Sequence, residues 1–280
     1  MNCHWQELLS IVPFSIRDSV DKLGKNSLLE IRLRVGGRAE LILNDRSVFL
    51  DPVMNIQEIA FTVNAATKYS PWTAQTIRSG YVTSSGGHRI GICGSCVYEN
   101  SELMNITSIS SVCIRVARQY PGISKNLYLR LNSILIIGLP GAGKTTLLRD
   151  LICEISNRCS GAVVVLDERR EIFPSFEGRY LFERGKRTDV LSGVRKPAGL
   201  DMALRTMSPS VIALDEISCE DDAKALQAAA NCGVRVIATA HAGSRSDLNM
   251  RPIYRRILTD KLFQSLVVLH ADRTWHEEEL

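Results

Sequence analysis

Residues 138–146 read GLPGAGKTT, which sets glycines, a lysine and two threonines at the spacing that holds a phosphate chain. Gly138, Gly141 and Gly143 let backbone N–H groups approach oxyanions with no Cβ in the way. Pro140 and Ala142 complete the loop. Lys144 brings a mobile cation to the β and γ phosphates, the Thr145 hydroxyl is a magnesium ligand, and Thr146 opens the next helix near the α-phosphate. The pattern carries weight because an apolar strand, SILIIG, precedes it and an amphipathic run, KTTLLRDLICEISN, follows it. A chance glycine turn would have neither flank. The loop therefore predicts ATP and Mg²⁺ as ligands.

Two later runs end in adjacent carboxylates, VVVLDE at 163–168 and VIALDE at 211–216. Both can reach the carboxyl edge of a parallel sheet, where ligands bind in such folds. Their order separates them. With the first as Walker B, Asp215 and Glu216 would have no assigned work. With VIALDE as Walker B, AVVVLD becomes an additional strand between the P-loop and Walker B. Asp215 then meets magnesium through water, and Glu216 polarises the attacking water. Asp167 and Glu168 form a second acidic shell, with Glu168 contributing to turnover. The alternative is a capped strand end whose carboxylates pair with Arg169 or Arg170. VRVIATAH ends in His241, placed to hydrogen-bond the γ-phosphate or Glu216; alternatively it is a surface histidine at a strand end.

The elements that must hold these groups alternate after residue 128. SILIIG, AVVVLD, VIALDE, VRVIATAH and LFQSLVVLH read as strands, with helices between the first four. Such alternation implies a parallel sheet covered on both faces. Leu147, Leu148, Leu151, Ile152 and Ile155 line one side of the helix after the loop and suit packing on that sheet. Before residue 120 the elements are shorter: strands LLEIRLRV, AELILN and SVFLD, a helix over 56–70, a second over 71–80, then GYVTSS, GGHRIGICGSCVYE and SVCIRVAR as strands. The stretch QYPGISKNLYL marks a boundary near 120–128. The expected architecture is an α+β N-terminal domain, 1–122, and a P-loop ATPase core of the RecA-like, additional-strand kind, 128–280.

Of the 280 residues, 45% are hydrophobic and 23% charged, values of an ordinary globular protein, and a net charge of +4 does not argue for nucleic acid. MNCHWQELLSIVPF lacks the basic and apolar regions of a signal peptide, and no run is long enough to span a bilayer. A cytoplasmic chain with free thiols is expected, peripheral to any membrane. The cysteines Cys93 and Cys96 of CGSC lack a second ligand pair for zinc and a thioredoxin-like setting. They are expected to be small packed residues in a strand.

An acidic box before Walker B and a histidine box after it resemble the ATPases of type IV pili and of type II and type IV secretion. The segments LEIRLRVGGRAEL, GGHRIGICG, ISSVCIRVAR, DERREI, GKRTDVLSG, RTMSPSVIALDEI and VIATAH, with the loop, resemble the stage III sporulation protein AA family of endospore-forming bacteria. The resemblance covers residues 26–270. It implies a ring of six subunits with ATP between neighbours, at the mother-cell side of a membrane channel complex facing the forespore. It also implies that arginines of the N-terminal domain approach the γ-phosphate. Arg89 and Arg115 lie on the matching strands, with Arg118 close by, and a guanidinium fork suits charge developing on phosphate oxygens. Each can equally be a surface arginine. One departure is local: Ile217, Ser218 and Cys219 stand where glycine-rich residues are expected after Walker B, a change that would stiffen the loop.

A competing class is a nucleic-acid-dependent ATPase, suggested by the basic stretches ERGKRTDVLSGVRK and RPIYRRI. No RRM, KH or helix-turn-helix signature accompanies them, so nucleic acid is not the expected partner. A scaffold without turnover is disfavoured by the intact Lys144, Thr145, Asp215 and Glu216.

Overall fold

The structure is a computed structural model, described here for residues 1–68, 80–125, 127 and 132–280. All but the last residue of the helix expected over 71–80, and part of the linker at 119–129, lie outside the described residues. Contacts along the chain define two compact units. One holds residues 2–118 and 175–181, the other Met1, 119–174 and 182–280.

In the first unit, helices α1 (Trp5–Ile11) and α2 (Phe14–Leu23) precede three strands, β1 (Leu28–Arg34), β2 (Arg38–Leu43) and β3 (Ser47–Val53). Helix α3 (Ile56–Ala66) and strands β4 (Tyr81–Thr83), β5 (Arg89–Glu99) and β6 (Glu102–Arg115) follow. The six strands form one antiparallel sheet in the order β3-β2-β1-β6-β5-β4. Alternate residues, among them Ile31, Leu33, Leu41, Ile90 and Ile114, share a core with Leu8, Ile16, Val20 and Ile59 of the helices. The period-two burial leaves Glu30, Arg32, Arg34 and Arg115 on the opposite face. Asn55 and Glu58 form a capping box that starts α3. Helices α1 and α2 were not apparent in the sequence because each is short and Pro13 breaks their joint pattern. A small hairpin, β9 (Ser175–Phe176) and β10 (Arg179–Tyr180), also belongs to this unit.

The second unit is a seven-stranded sheet. Its strand β7 (Ile134–Gly138) leads through the glycine loop into α4 (Lys144–Arg158). Then come β8 (Ala162–Asp167), β11 (Thr188–Ser192), α5 (Lys196–Thr206), β12 (Pro209–Leu214), α6 (Glu220–Asn231) and β13 (Arg235–His241). Two short helices, α7 (Arg245–Met250) and α8 (Pro252–Thr259), and strands β14 (Ser265–Leu269) and β15 (Trp275–Glu279) complete it. The order is β11-β8-β12-β13-β7-β14-β15, parallel throughout except for β15. The middle strands are buried on both faces, which is why they read as unbroken apolar runs. Leu147, Leu148, Leu151, Ile152 and Ile155 of α4 are all buried, as their spacing predicts. The architecture is an additional-strand, RecA-like α/β core, with β8 inserted in chain order and β13 lying between β12 and β7.

Two strands of this sheet escaped the sequence reading. The segment GKRTDVLSG, read there as part of a basic stretch, contains β11, and the acidic C-terminal run contains β15. Both are edge strands with one neighbour each, so neither needs an apolar run.

Candidate nucleotide site

The loop between β7 and α4 turns where the glycines allow. Gly141 and Gly143 have φ of +79° and +104°, and Gly143 is the N-cap of α4. A Cβ on Gly138 would lie 3.1 Å from Leu269 Cβ and 3.2 Å from Ala142 Cβ, so the loop closes tightly onto β14. No side chain caps α4, which leaves its first N–H groups as donors beside the loop. Lys144 is buried; its Nζ donates to the carbonyls of Gly138 (2.8 Å) and Leu139 (3.0 Å) and to His241 Nδ1 (3.0 Å). Burial lowers its pKa, against the opposing pull of Asp215 and Glu216.

Asp215 follows β12 and faces two hydroxyls. Thr145 Oγ1 donates to its Oδ2 at 2.7 Å, and Thr239 Oγ1 donates to its Oδ1. The Glu216 N–H in turn donates to Thr239 Oγ1 at 2.8 Å. Glu216 has a left-handed backbone, φ +55°, uncommon for a residue with a side chain and costly by about 1–3 kcal/mol unless its surroundings hold it. Its carboxylate meets Arg169 Nη1 at 2.6 Å and His241 Nε2 at 3.6 Å. Parallel register brings His241 opposite Gly138, so the histidine arrives beside the loop through the β13–β7 ladder. Burial, and then the nearby Lys144 charge, lower the His241 pKa.

The two acidic pairs have different surroundings. Asp167 is buried and accepts backbone N–H bonds from Glu171 (2.8 Å), Ile172 (3.1 Å) and Phe173 (2.9 Å). Burial raises its pKa, although those N–H bonds pull it down. Glu168 pairs at 2.8 Å with Lys196, at the start of α5, and not with Arg169 or Arg170 as the alternative reading supposed. The reason is a turn: the N–H of Arg170 donates to Asp167 O at 3.1 Å, and Arg169 is left to reach Glu216. Lys196 also lies 3.5 Å from Asp222, whose Oδ2 accepts from Ser218 N (2.9 Å) and Oγ (3.1 Å). Burial acts to lower the Lys196 pKa, but the hydrogen bond to Glu168 and the Asp222 charge outweigh it and leave the pKa raised. Asp167, Glu168, Arg169, Lys196, Asp215 and Glu216 line one small cleft. The loop after β12 is anchored, with Ile217 buried and its carbonyl accepting from the Tyr254 hydroxyl at 2.9 Å.

In the N-terminal unit, Arg89 and Arg115 stand directly opposite each other across the β5–β6 ladder. Arg115 lies 3.4 Å from Glu30, and the Arg89 guanidinium lies over the Tyr81 ring at 3.8 Å. Arg118 is different. It is buried and donates to the carbonyls of Lys25 and Leu28, so it braces the backbone. Cys93 and Cys96 lie on β5 but are exposed, contrary to expectation, because the outer half of the β5–β6 ribbon runs beyond the helix-covered core.

The sequence reading missed Thr239 and Lys196, and named Arg169 only as a partner of the first acidic pair. Thr239 had a faint signal, a hydroxyl inside the apolar run VIATAH. The two cations gave none, since their partners are set by the sheet order. Among the described residues no three His, Cys, Asp or Glu cluster as a metal cage. Nucleotide-borne magnesium does not need one, since it keeps waters and phosphate oxygens and takes few protein ligands. The Thr145 hydroxyl and Asp215 carboxylate, 2.7 Å apart, fit that requirement.

Comparison with known proteins bears on the fold and on the family. The pilus retraction motor PilT with bound ADP superposes with a TM-score of 0.62 at 17% identity, over 94% of this chain and 77% of that one. The ATPase DotB of Legionella pneumophila gives 0.59 at 16%, over 95% and 79%. At such identities the likeness is one of fold. The uncharacterized protein ycf45 of Porphyra purpurea is 26% identical over 254 residues, which span 88% of this chain and 42% of that protein. Stage III sporulation protein AA of Bacillus subtilis (strain 168) is 36% identical over 276 residues, covering 94% of this chain and 90% of that protein. The family model described as sporulation stage III, protein AA, matches residues 4–277, and the chain belongs to that family.

Proposed function

We propose that the protein hydrolyses ATP with magnesium and, as a ring of six copies, powers a channel complex between mother cell and forespore. The observation that carries this reading is the hydrogen-bonded series Thr145–Asp215–Thr239–Glu216, set beside the lysine of a glycine loop. In the proposal, residues 128–280 are the ATPase domain and residues 1–122 the domain that supplies cations to a neighbour's site. Gly138 to Thr146 hold the phosphates, Lys144 meets the β and γ oxygens, and Thr145 and Asp215 hold the metal. Magnesium, when bound, would offset charge on the transferring phosphoryl group. Glu216 accepts a proton from the attacking water, His241 touches both Lys144 and Glu216, and Glu168 supports the cleft through Lys196. Arg89 and Arg115 enter from another subunit. The partners are membrane proteins of the channel, reached from the mother-cell cytoplasm. No described helix is long and apolar enough to cross a membrane.

Two variants test the site. Lys144→Ala should abolish or greatly weaken ATP binding, because it removes the cation at the β and γ phosphates. Glu216→Gln should bind Mg·ATP and hydrolyse it slowly, since the amide keeps the shape and loses the base. Unchanged ATP affinity in the first, or normal turnover in the second, overturns the assignment.

A further inference from the structure

The first acidic box places its two carboxylates away from the reaction and its next residue onto it. Asp167 spends its oxygens on three backbone N–H groups, and Glu168 spends its own on Lys196. Arg169 instead extends to Glu216, at 2.6 Å. Among the described residues this is the one ion pair of Glu216 at hydrogen-bond distance, because His241 stands off at 3.6 Å. The turn that carries Arg169 is braced from both sides. Asp167 gathers the N–H groups of residues 171–173, and the buried Arg149 donates to the carbonyls of Glu171 (2.8 Å) and Ile172 (2.5 Å). A half-exposed ion pair adds little stability. Its consequence here is geometric, since the Glu216 side chain leaves a left-handed backbone and its oxygens need a second fixed point.

We propose that Arg169 is a positioning residue, through which the first acidic box sets the orientation of the Glu216 carboxylate. This rests on the reading of Glu216 as the group that accepts the water proton. Arginine suits the task because its planar fork holds a carboxylate in one orientation while leaving an oxygen to act.

The test uses the full chain carrying Arg169→Ala, Arg169→Lys, Glu216→Gln and the Arg169→Ala/Glu216→Gln pair. Arg169→Ala should lower kcat by about tenfold to 10²-fold, the range for a displaced reacting group. KM and the affinity for a fluorescent ATP analogue should stay unchanged, and Arg169→Lys should recover part of the loss. In the Glu216→Gln background, Arg169→Ala should cost nothing further, because the two act as a unit. An equal loss in both backgrounds overturns the proposal, as does weakened nucleotide binding, which would make Arg169 a phosphate ligand. Normal turnover by Arg169→Ala while Glu216→Gln is slow overturns this proposal alone. Normal turnover by Glu216→Gln overturns the underlying site reading and this proposal together.

Discussion

Thr239 connects the Asp215 carboxylate to the backbone of Glu216. It sits fully buried in β13, donates to Asp215 and accepts from the Glu216 N–H. Thr239→Val keeps the shape and removes both bonds. The lost hydrogen bonds and the N–H left without its partner should cost about 1–3 kcal/mol of stability. With Asp215 held by Thr145 alone, kcat should also fall, by roughly tenfold if the misplacement costs about 1.4 kcal/mol in the transition state. Thermal unfolding and steady-state ATPase measurements check the two effects separately, and a variant as active as the wild type would mean that Thr145 alone suffices to orient Asp215.

At the scale of elements, two turns explain residues that resemblance alone singles out. Gly185 opens GKRTDVLSG with φ +89°, and a Cβ there would lie 2.5 Å from Ser156 Cβ and 2.9 Å from the Cys153 carbonyl. The next N–H groups donate to α4: Lys186 to Asn157 Oδ1 (3.1 Å) and Arg187 to Ser156 Oγ (2.8 Å). Gly185→Ala should therefore loosen the β11 edge from α4 and cost at least about 1–3 kcal/mol in denaturant unfolding. In the other unit, His88 of GGHRIG is buried between β4 and β5. Its Nδ1 accepts from the Ala117 N–H (3.1 Å) and its Nε2–H donates to the His4 carbonyl (2.9 Å), which requires the neutral ring. Burial, partly offset by that second bond, takes its pKa down to about 4. The folded value lies below the unfolded value near 6.5, so the contribution of His88 is complete above that pH and is lost as the pH falls toward 4. The loss should approach roughly 3 kcal/mol. Unfolding curves at pH 7.5 and 4.5 should show it, and His88→Gln should flatten this acid limb; an equally steep limb in the variant would assign the loss to other groups.

At the scale of the whole molecule, the opposed pair Arg89 and Arg115 bears on assembly. Like charges facing each other across a ladder are unfavourable by a fraction of a kcal/mol to about 1 kcal/mol, which Glu30 beside Arg115 and the Tyr81 ring beneath Arg89 help to offset. If a neighbouring subunit's ATP receives them, Arg89→Ala and Arg115→Ala should lower kcat with little change in nucleotide affinity, by a factor on the order of 10³ for a full arginine finger. Wild-type turnover should rise more steeply than linearly with protein concentration. Turnover strictly proportional to concentration, with both variants at full rate, would remove the N-terminal unit from the reaction. DNA or RNA should not stimulate ATP turnover; strong, salt-dependent stimulation would favour the nucleic-acid-dependent reading.

The glycine loop, the apolar strands and the parallel order of the core were legible in the sequence, because each depends on local chemistry. Glycines license the loop's positive φ, and strands buried on both faces must be apolar along their length. The carboxylates' partners were not legible. Whether Glu168 meets Arg169 or Lys196, and whether Arg169 meets Glu216, depends on β8 lying beside β12 and on α5 starting next to both. The edge strands β11 and β15 and the exposed Cys93 and Cys96 escaped for a related reason. An edge residue is half solvated and leaves no periodic pattern, and its ladder partner lies far away in the chain. What the sequence alone determined was therefore which chemical groups reach the sheet edge. The tertiary structure decided which of them hold one another, since ion pairs and edge ladders form between segments that only the packed sheet brings together.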